Sequence, residues 1–577
     1  MQVAAPRKGV NWRAFPIMAV ARSNALVVAL CGFESRRVHQ VGKNLKEFNK
    51  KKKGNEMVNT QLFQSLKNSL TNKFLPVTDA TNFSGVAAYK FTAEHKLAQY
   101  AATGCLNATY YASAEAQLAT VLDLTKEVTP LFVAQTAIYC RERGYMKDMP
   151  ALLVAALTMR NAVELPRTFK RVMNNGKMLR NFVQIVRSGA IGRKSLGSRP
   201  KKLVQAWLNT ASEKELLAAA VGTTPSLADV VKMVHPKPVE AWREAFFAWL
   251  IGKPYKVEAL PPVVAAFEAF KKDRSLALPD VPFQMLTAMD LTTEDWAQIA
   301  RQAGWQMLRM NLNTFGRHGV YALPGMVDLI AAKLSNAEAI AKAKVFPYQL
   351  MAAYKAANEE VPMPIKNALQ DAMEIALNNV PEIFGKVVVC ADVSGSMSSA
   401  VTGYRGSATT AVRCIDIAAL VAAAMLRKNP STLVLPFENQ VVKCDLNPRD
   451  SVMTNAQKLA AIGGGGTNCS APLVQLNKQK AQADLVIFVS DNESWMDASR
   501  GRSTATMAEW NVFKQRNPQA KLVCIDIAPY GTTQAAERDD ILNVGGFSDA
   551  VFKIIAAFAA GQLSAEHWVG EVKAIDI

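Results

Sequence analysis

The 577-residue sequence lacks any uninterrupted apolar run of the ~18 residues that a membrane-spanning helix needs. The nearest candidate, ALVVALCGF at 25–33, follows Arg13 and Arg22 but leads to no small-residue cleavage site, so secretion is not expected. The eight cysteines (Cys31, Cys105, Cys140, Cys390, Cys414, Cys444, Cys469, Cys524) stand singly. Without a CxxC pair, neither a zinc knuckle nor a redox dithiol is signalled. Several lie inside apolar runs, as reduced thiols do in a cytoplasmic protein. Histidine is scarce: the five residues His39, His95, His235, His318 and His567 share no metal-ligand spacing. Nothing marks a Ser/His or Cys/His catalytic pair, and His235, in His-Pro-Lys-Pro, reads as structural.

Charge is abundant, but unevenly placed. The net charge is +19, from 67 Lys+Arg and 48 Asp+Glu. Residues 386–577 hold 18 basic and 18 acidic side chains and are neutral. Residues 1–56 hold 12 against 3, which leaves 37 against 27 for residues 57–385. Within that middle part, residues 159–202 carry 12 basic residues and one acid, Glu164. A local basic excess is the footprint of a nucleic-acid or anionic-surface partner. Arg167, Lys170 and Arg171 share one helix-like stretch there, with Arg160 and Lys177 nearby. Arg193, Lys194, Arg199, Lys201 and Lys202 surround a turn at Gly197 and Pro200 that leads into a second helix. A helix start can add backbone N–H groups to those charges in binding phosphate. Arg167, Lys170, Arg171, Arg193, Lys194, Arg199, Lys201 and Lys202 are the eight candidate nucleic-acid contacts. Phe169, Phe182 and Trp207 fall at helical spacing and read as core rather than as base-stacking rings.

The chain reads as three parts: 1–56, 57–380 and 381–577. The first is a basic extension ending in Lys50, Lys51, Lys52 and Lys53 before Met57. Its codons resemble a ribosome-binding site, so translation is expected to start at Met57, the rival reading being a genuine basic arm. From about 90 to 380 the pattern is helical, with apolar residues three and four apart at 213–221, 240–251 and 295–312. Glycines and prolines punctuate it. Many short helices suggest a bundle or an α-solenoid, although no strict repeat period is present. After Pro381 strand-like runs at 386–391, 432–436, 484–490 and 521–527 alternate with helical stretches at 411–427, 456–461, 504–516 and 549–560. That alternation indicates a mostly parallel sheet covered on both faces.

In open α/β sheets, ligands bind at the carboxyl ends of the strands. Here the first strand ends in Asp392-Val393-Ser394-Gly395-Ser396. A later loop reads Gly463-Gly464-Gly465-Gly466-Thr467-Asn468, and a further strand ends in Ser490-Asp491-Asn492-Glu493. The glycine run lacks the Lys-Ser/Thr of a phosphate loop, so nucleotide hydrolysis is not expected. Carboxylates and hydroxyls without imidazole or thiolate suit a hard divalent cation, Mg²⁺ before Zn²⁺. These motifs resemble the metal-ion-dependent adhesion site of a von Willebrand factor A (vWA) domain. The resemblance implies that Asp392, Ser394, Ser396, Thr467 and Asp491 hold Mg²⁺ directly or through water. It also implies an open position for an acidic group from a partner, in a binding module rather than a catalyst.

The helical half carries a second resemblance. RSGAIGRKSLGSRPKKLVQAWLN at 187–209, SLADVVKMVHPKP at 226–238, WQMLRMNLNTFGRHG at 305–319 and VFPYQLMAAYKA at 345–356 look like the TROVE module of the Ro autoantigen family and its bacterial relatives. VGGFSDAVFKII from Val544 and the SDNE of 490–493 also match the Ro pattern. The likeness covers roughly residues 80–560 and has no counterpart for 1–56. It implies a multidomain fold: an all-α ring of HEAT-like repeats closed by an α/β vWA domain. It also implies small noncoding (Y-like) RNA on the outer surface and single-stranded ends of misfolded or decaying RNA in the hole. An exonuclease or other acidic protein would be the partner at the metal site, with no membrane involved. The expectation is an RNA-binding scaffold without catalytic activity. The alternative is a metal-dependent protein-interaction module without RNA function, for which the basic stretch has no use. A metal-dependent nuclease fits less well, because the site is hydroxyl-rich and two-metal hydrolysis favours carboxylates; Glu493 is the one nearby carboxylate that could serve it.

Overall fold

A computed structural model describes residues 75–577 apart from 105, 346, 404–411, 497–502 and 564–565. The basic extension and the expected start at Met57 lie outside the described residues. The chain opens with a hairpin of β1 (Ala80–Thr81) and β2 (Ala87–Lys90). Helices follow: α1 (Ala93–Thr103), α2 (Ala114–Glu127), α3 (Pro130–Glu142), α4 (Asp148–Leu157), α5 (Leu165–Val172), α6 (Gly176–Arg187) and α7 (Ser198–Thr210). The helical run continues through α8 (Leu227–Val234), α9 (Pro347–Ala356) and α10 (Met363–Ala376). Among the described residues no helix is long and apolar enough to cross a membrane.

The expected helices at 213–221 and 240–251 form as Glu213–Ala220 and Ala241–Ile251. Ser212 and Glu215 close a capping box on the first, which satisfies two backbone donors that a helix start leaves free. The expected helix at 295–312 is instead two, Thr293–Gln302 and Trp305–Met310. Ala303 and Gly304 are extended between them, and glycine is a favoured N-cap.

The C-terminal part is a five-stranded sheet in the order β4-β3-β5-β6-β8, parallel throughout. Its strands are β3 (Val387–Ala391), β4 (Leu433–Val434), β5 (Leu485–Ser490), β6 (Lys521–Asp526) and β8 (Ile541–Gly545). Helices α11 (Cys414–Lys428), α12 (Val452–Ala460), α13 (Ala471–Lys478), α14 (Ala505–Arg516), α15 (Asp549–Ala559) and α16 (His567–Lys573) accompany it. The run at 432–436 yields a two-residue strand at the sheet edge. Its bonds to β3 continue past it, Leu435 N–H donating to Val389 O at 2.8 Å and Phe437 N–H to Ala391 O at 2.9 Å, while Pro436 between them faces the open edge, where no N–H is needed. Strand β8 was not among the expected strands.

Both ends of the helical region are tied to this sheet. At the start, β2 pairs antiparallel with β7 (Thr532–Thr533), Tyr89 opposite Thr533. Helix α1 lies on edge strand β8 so closely that a Cβ on Gly545 would sit 2.6 Å from Gln99 Oε1. A Cβ on Gly546 would lie 2.8 Å from the Ala102 carbonyl, and Gly546 also has φ +95°. The paired glycines are thus what admits the helix. The fully buried Trp568 of α16 donates its indole N–H to the Tyr139 hydroxyl of α3 at 3.1 Å. At the other end, Lys355 of α9 pairs with buried Asp416 of α11 at 2.9 Å. Glu374 of α10 meets Arg427 at 3.3 Å and accepts from Val452 N–H at 2.8 Å. Among the described residues no cysteine is in a disulfide, and Cys140, Cys390, Cys414, Cys469 and Cys524 are buried.

Trp568→Ala should lower stability by about 3–5 kcal/mol, the cost of emptying a large buried aromatic site. Denaturant unfolding followed with hydrogen exchange checks it. Faster exchange should concentrate in α3 and β8, and a loss below about 1 kcal/mol would mean α16 does not hold the two parts together.

Candidate functional site

The loops after β3 and β5 and the glycine loop converge at the carboxyl end of the sheet. Asp392 continues β3, and its Oδ1 accepts from Ser394 N–H at 2.9 Å while its Oδ2 accepts from the Ser490 hydroxyl at 2.6 Å. The glycine loop is fastened to this turn twice: Gly395 N–H donates to Gly465 O, and Gly464 N–H donates to Val393 O, each at 3.1 Å. Gly465 has φ +65°, and a Cβ there would lie 2.2 Å from Glu438 Oε2. No other residue meets both conditions. The loop then delivers Thr467, whose hydroxyl donates to Ser394 Oγ at 3.0 Å. Ser394 Oγ and Ser396 Oγ are 3.4 Å apart, and Ser396 in turn bonds to Asp491. The structure therefore brings Asp392, Ser394, Ser396, Thr467 and Asp491 into one buried cluster.

Burial, reinforced by Asp491, pushes the Asp392 carboxyl up to about 7. Asp491 is also raised by burial, against a lowering bond from Ser396. Two further acids stand beside them. Glu493 is fully buried; burial and then Asp491 raise it to about 8. Asp526, at the end of β6, is raised well above the usual range by burial, Asp491 and Glu493. It accepts from the side chains of Gln99 in α1 and Asn492. Among the described residues no group of three or more His, Cys, Asp or Glu is arranged to hold a metal. A cation here therefore depends on the three hydroxyls as well as the carboxylates, and oxygen donors of this kind fit Mg²⁺. The crowding of buried acids is relieved by a positive charge placed among them.

Residues from the start of the helical region also reach the cluster. Phe83 N–H donates to Glu493 Oε2 at 3.0 Å, and Asn82 donates to Ser494 O at 2.7 Å. The Tyr111 hydroxyl bonds to Ser396 and Ser84, and burial followed by Asp491 and Glu493 raises it to about 12. Asp526 had a visible signal, an acid closing a third apolar strand. Phe83, Tyr111 and Gln99 had none, because only the tertiary fold places them here.

The eight basic candidates separate into two kinds. Arg171 is paired with Glu142 at 2.6 Å and bonds to the Asp576 carbonyl; Arg167 reaches the Ile577 carbonyl at 3.1 Å. Arg193 folds back on Ser195 O at 2.7 Å and on Leu196 O. Arg199 donates to Ala162 O at 2.5 Å. Lys170, Lys194 and Lys202 are exposed and Lys201 is half-buried. Lys194 and Lys201 line one groove of about 580 Å³ with Arg187 and Lys232, two residues the sequence reading did not select, and Asp229. Lys170, Arg167 and Arg171, on α5, lie outside that groove. A separate basic cluster gathers around Lys147, whose ammonium is lowered by burial and then by Lys177, Arg141 and Arg309. Lys147 lines a cavity of about 230 Å³ with Gly104, Tyr348, Thr402 and Phe547.

Residues 386–559 match the Ro60 vWA domain family. The chain is 25% identical over 520 residues to the RNA-binding protein RO60 of Deinococcus radiodurans, covering 84% of this chain and 95% of that protein. The crystal structure of the Deinococcus radiodurans RO (RSR) protein matches it with a TM-score of 0.58 at 21% identity, over 82% of this chain and 100% of that one. The chain is thus similar to Ro proteins over more than four-fifths of its length, and its residues 386–559 are those that match the Ro60 vWA domain model.

Proposed function

We propose that this protein is an RNA-binding scaffold of the Ro type that does not itself cut RNA. The observation that carries the reading is the groove where Arg187, Lys194, Lys201 and Lys232 converge, on a chain similar to a protein named for RNA binding. The lysines there are free of the local bonds that occupy the neighbouring arginines, so their charge is available to phosphate. Small structured RNA of the Y type sits on this surface. The cluster around Lys147 takes the phosphates of single-stranded RNA, whose backbone can enter a narrower site than a duplex can.

The vWA cluster holds Mg²⁺ through Asp392, Ser394, Ser396, Thr467 and Asp491. The ion supplies a coordination position for an outside oxygen. The chain's own residues supply the rest: the glycine loop fixes Thr467, Ser490 orients Asp392, and the buried acids gain a counter-charge. Among the described residues no histidine lies at this site to serve as a general base, the hydroxyls fix a cation without activating water, and Glu493, the carboxylate nearest to that role, is buried with its Oε2 accepting from Phe83 N–H.

Replacing Lys194, Lys201 and Lys232 together by alanine should weaken binding of structured RNA and reduce the slope of log affinity against log salt by about 2–3. Filter-binding titrations at several salt concentrations read it. An unchanged slope removes the groove from the RNA site. Arg171→Ala should instead lower the melting temperature and leave the slope intact.

Isothermal calorimetry should show Mg²⁺ binding that Asp392→Ala abolishes while the far-ultraviolet circular dichroism is kept. Wild-type affinity in that variant would refute the cation site.

A pH series tests the buried acids in cation-free protein. A carboxyl whose folded pKa is raised binds protons more tightly in the native state, so its stabilising effect is present at low pH and lost as pH rises. With Asp392 at about 7 and Glu493 at about 8, stability in EDTA should fall between about pH 4 and about pH 8. Asp392→Asn or saturating Mg²⁺ should flatten the fall. A pH-independent melting temperature in EDTA would show that the acids are not held in this state.

A further inference from the structure

Between the helix Pro262–Lys272 and the helix Thr293–Gln302 the chain forms only one helical turn, Phe283–Leu286. Pro279 and Pro282 precede that turn, and a proline lacks the N–H that continues a helix. The stretch is nevertheless fastened in place. Val281 N–H donates to Pro279 O and Met285 N–H to Pro282 O, each at 2.8 Å. The Phe283 ring meets buried Trp296 edge-on at 6.4 Å between centroids. Beside this irregular stretch a groove of about 770 Å³ remains. Leu217, Val263, Phe283, Leu286, Ile299 and Met307 give it apolar walls.

The groove is open to solvent: Ala218, Gln284 and Gly304, all on its lining, are exposed. Phe283 and Met307 are left half-buried. Its charged lining residues are Glu213, Asp280 and Lys214, one more acid than base. The wider sector agrees in sign. From 262 to 302 the acids Glu268, Asp273, Asp280, Asp290, Glu294 and Asp295 stand against Lys271, Lys272, Arg274 and Arg301, six against four. The net is −2, within a part, 57–385, whose 37 bases and 27 acids give +10. An acidic trough repels phosphate, so this surface lies outside the RNA reading above. An enclosed pocket would suit a small apolar molecule. An open trough between helices suits a segment that keeps its other face in water.

We propose that this groove docks a cationic amphipathic helix of a partner protein. Apolar side chains at i, i+3 or i+4, and i+7 of that helix enter between Leu217, Phe283 and Met307. Its lysines or arginines lie toward Asp280 and Glu213. Ala218 and Gly304 leave room for the docked backbone, and a Cβ on Gly304 would meet nothing within 4 Å. Charge decides the kind of partner. An acidic helix carries the same apolar face but meets like charge at the rim. The field of the whole chain works the other way. At a net charge of +19 the protein repels a cationic helix at long range, so such a helix binds only where the local surface favours it.

The test uses full-length protein and two labelled helical peptides that share one leucine face. One carries lysines on its opposite face, the other glutamates. Anisotropy should show the Leu/Lys peptide bound at least about tenfold tighter than the Leu/Glu peptide. Gly304→Leu and Ala218→Trp each fill the groove from an exposed position, and the extended backbone of Gly304, φ −68° and ψ 158°, is open to any residue. Each should weaken the Leu/Lys peptide at least about tenfold while melting like wild type and keeping the salt slope for structured RNA. Asp280→Lys, on the exposed rim, should remove the preference between the two peptides, and it decides the matter even if a filled variant melts early. The inference is overturned if the Leu/Lys peptide binds both filled variants as tightly as wild type. It also falls if neither peptide binds, or if Asp280→Lys leaves the preference unchanged. An oligouridylate that binds the wild type but not the filled variants would make the groove an RNA surface and overturn the inference as well.

Discussion

The contact on which most of this architecture depends is the seating of helix α1 on edge strand β8. Gly545 and Gly546 let the helix approach to backbone distance. That approach covers the open edge of a parallel sheet, which would otherwise present unpaired donors and acceptors. It also delivers Gln99 to Asp526, so the end of β6 gains a partner from the other half of the chain. The hairpin before α1 and the loop after it are then held over the carboxyl ends of the strands, where Phe83 and Tyr111 meet the oxygen cluster. One helix-to-strand contact thus joins the two parts and finishes the site.

Much of the α/β part was legible in the sequence, because strands buried on both faces read as continuous apolar runs and their terminal polar residues stand out against them. The three oxygen-bearing loops were legible for the same reason. Strand β8 was not, since ILNVG is short, carries a polar Asn543 and runs straight into two glycines. The helical half was legible as helices but not in its breaks: the spacing of 295–312 hides the extended pair at Ala303 and Gly304. The residues that cross from the helical region to the site were illegible in principle. Nothing local about Gln99 or Tyr111 distinguishes them from surface residues; their partners lie hundreds of positions away.

Charge density located the basic surface but did not sort its members. Arginine has a planar fork that reaches several carbonyls at once, and in the loop before α7 and on α5 it is used that way. Lysine, a point charge on a flexible stem, is left at the surface. The groove consequently draws on Arg187 and Lys232 from α6 and α8, so its charge comes from three helices and the loop between two of them, rather than from the densest stretch alone.

The double attachment of the helical region to one sheet has a bearing on how such a chain can change length. An open helical array grows or shrinks by whole repeats, because each repeat touches only its neighbours. Here the first helices are fixed at β7 and β8, and the last at α11 and α12. Adding or deleting a helical pair would move one attachment away from the other, and the loss would be felt at both ends together. Insertions are therefore confined to loops that leave the path between the anchors unchanged. The number of helices in this region behaves as a fixed integer of the fold, set by the span that must be bridged.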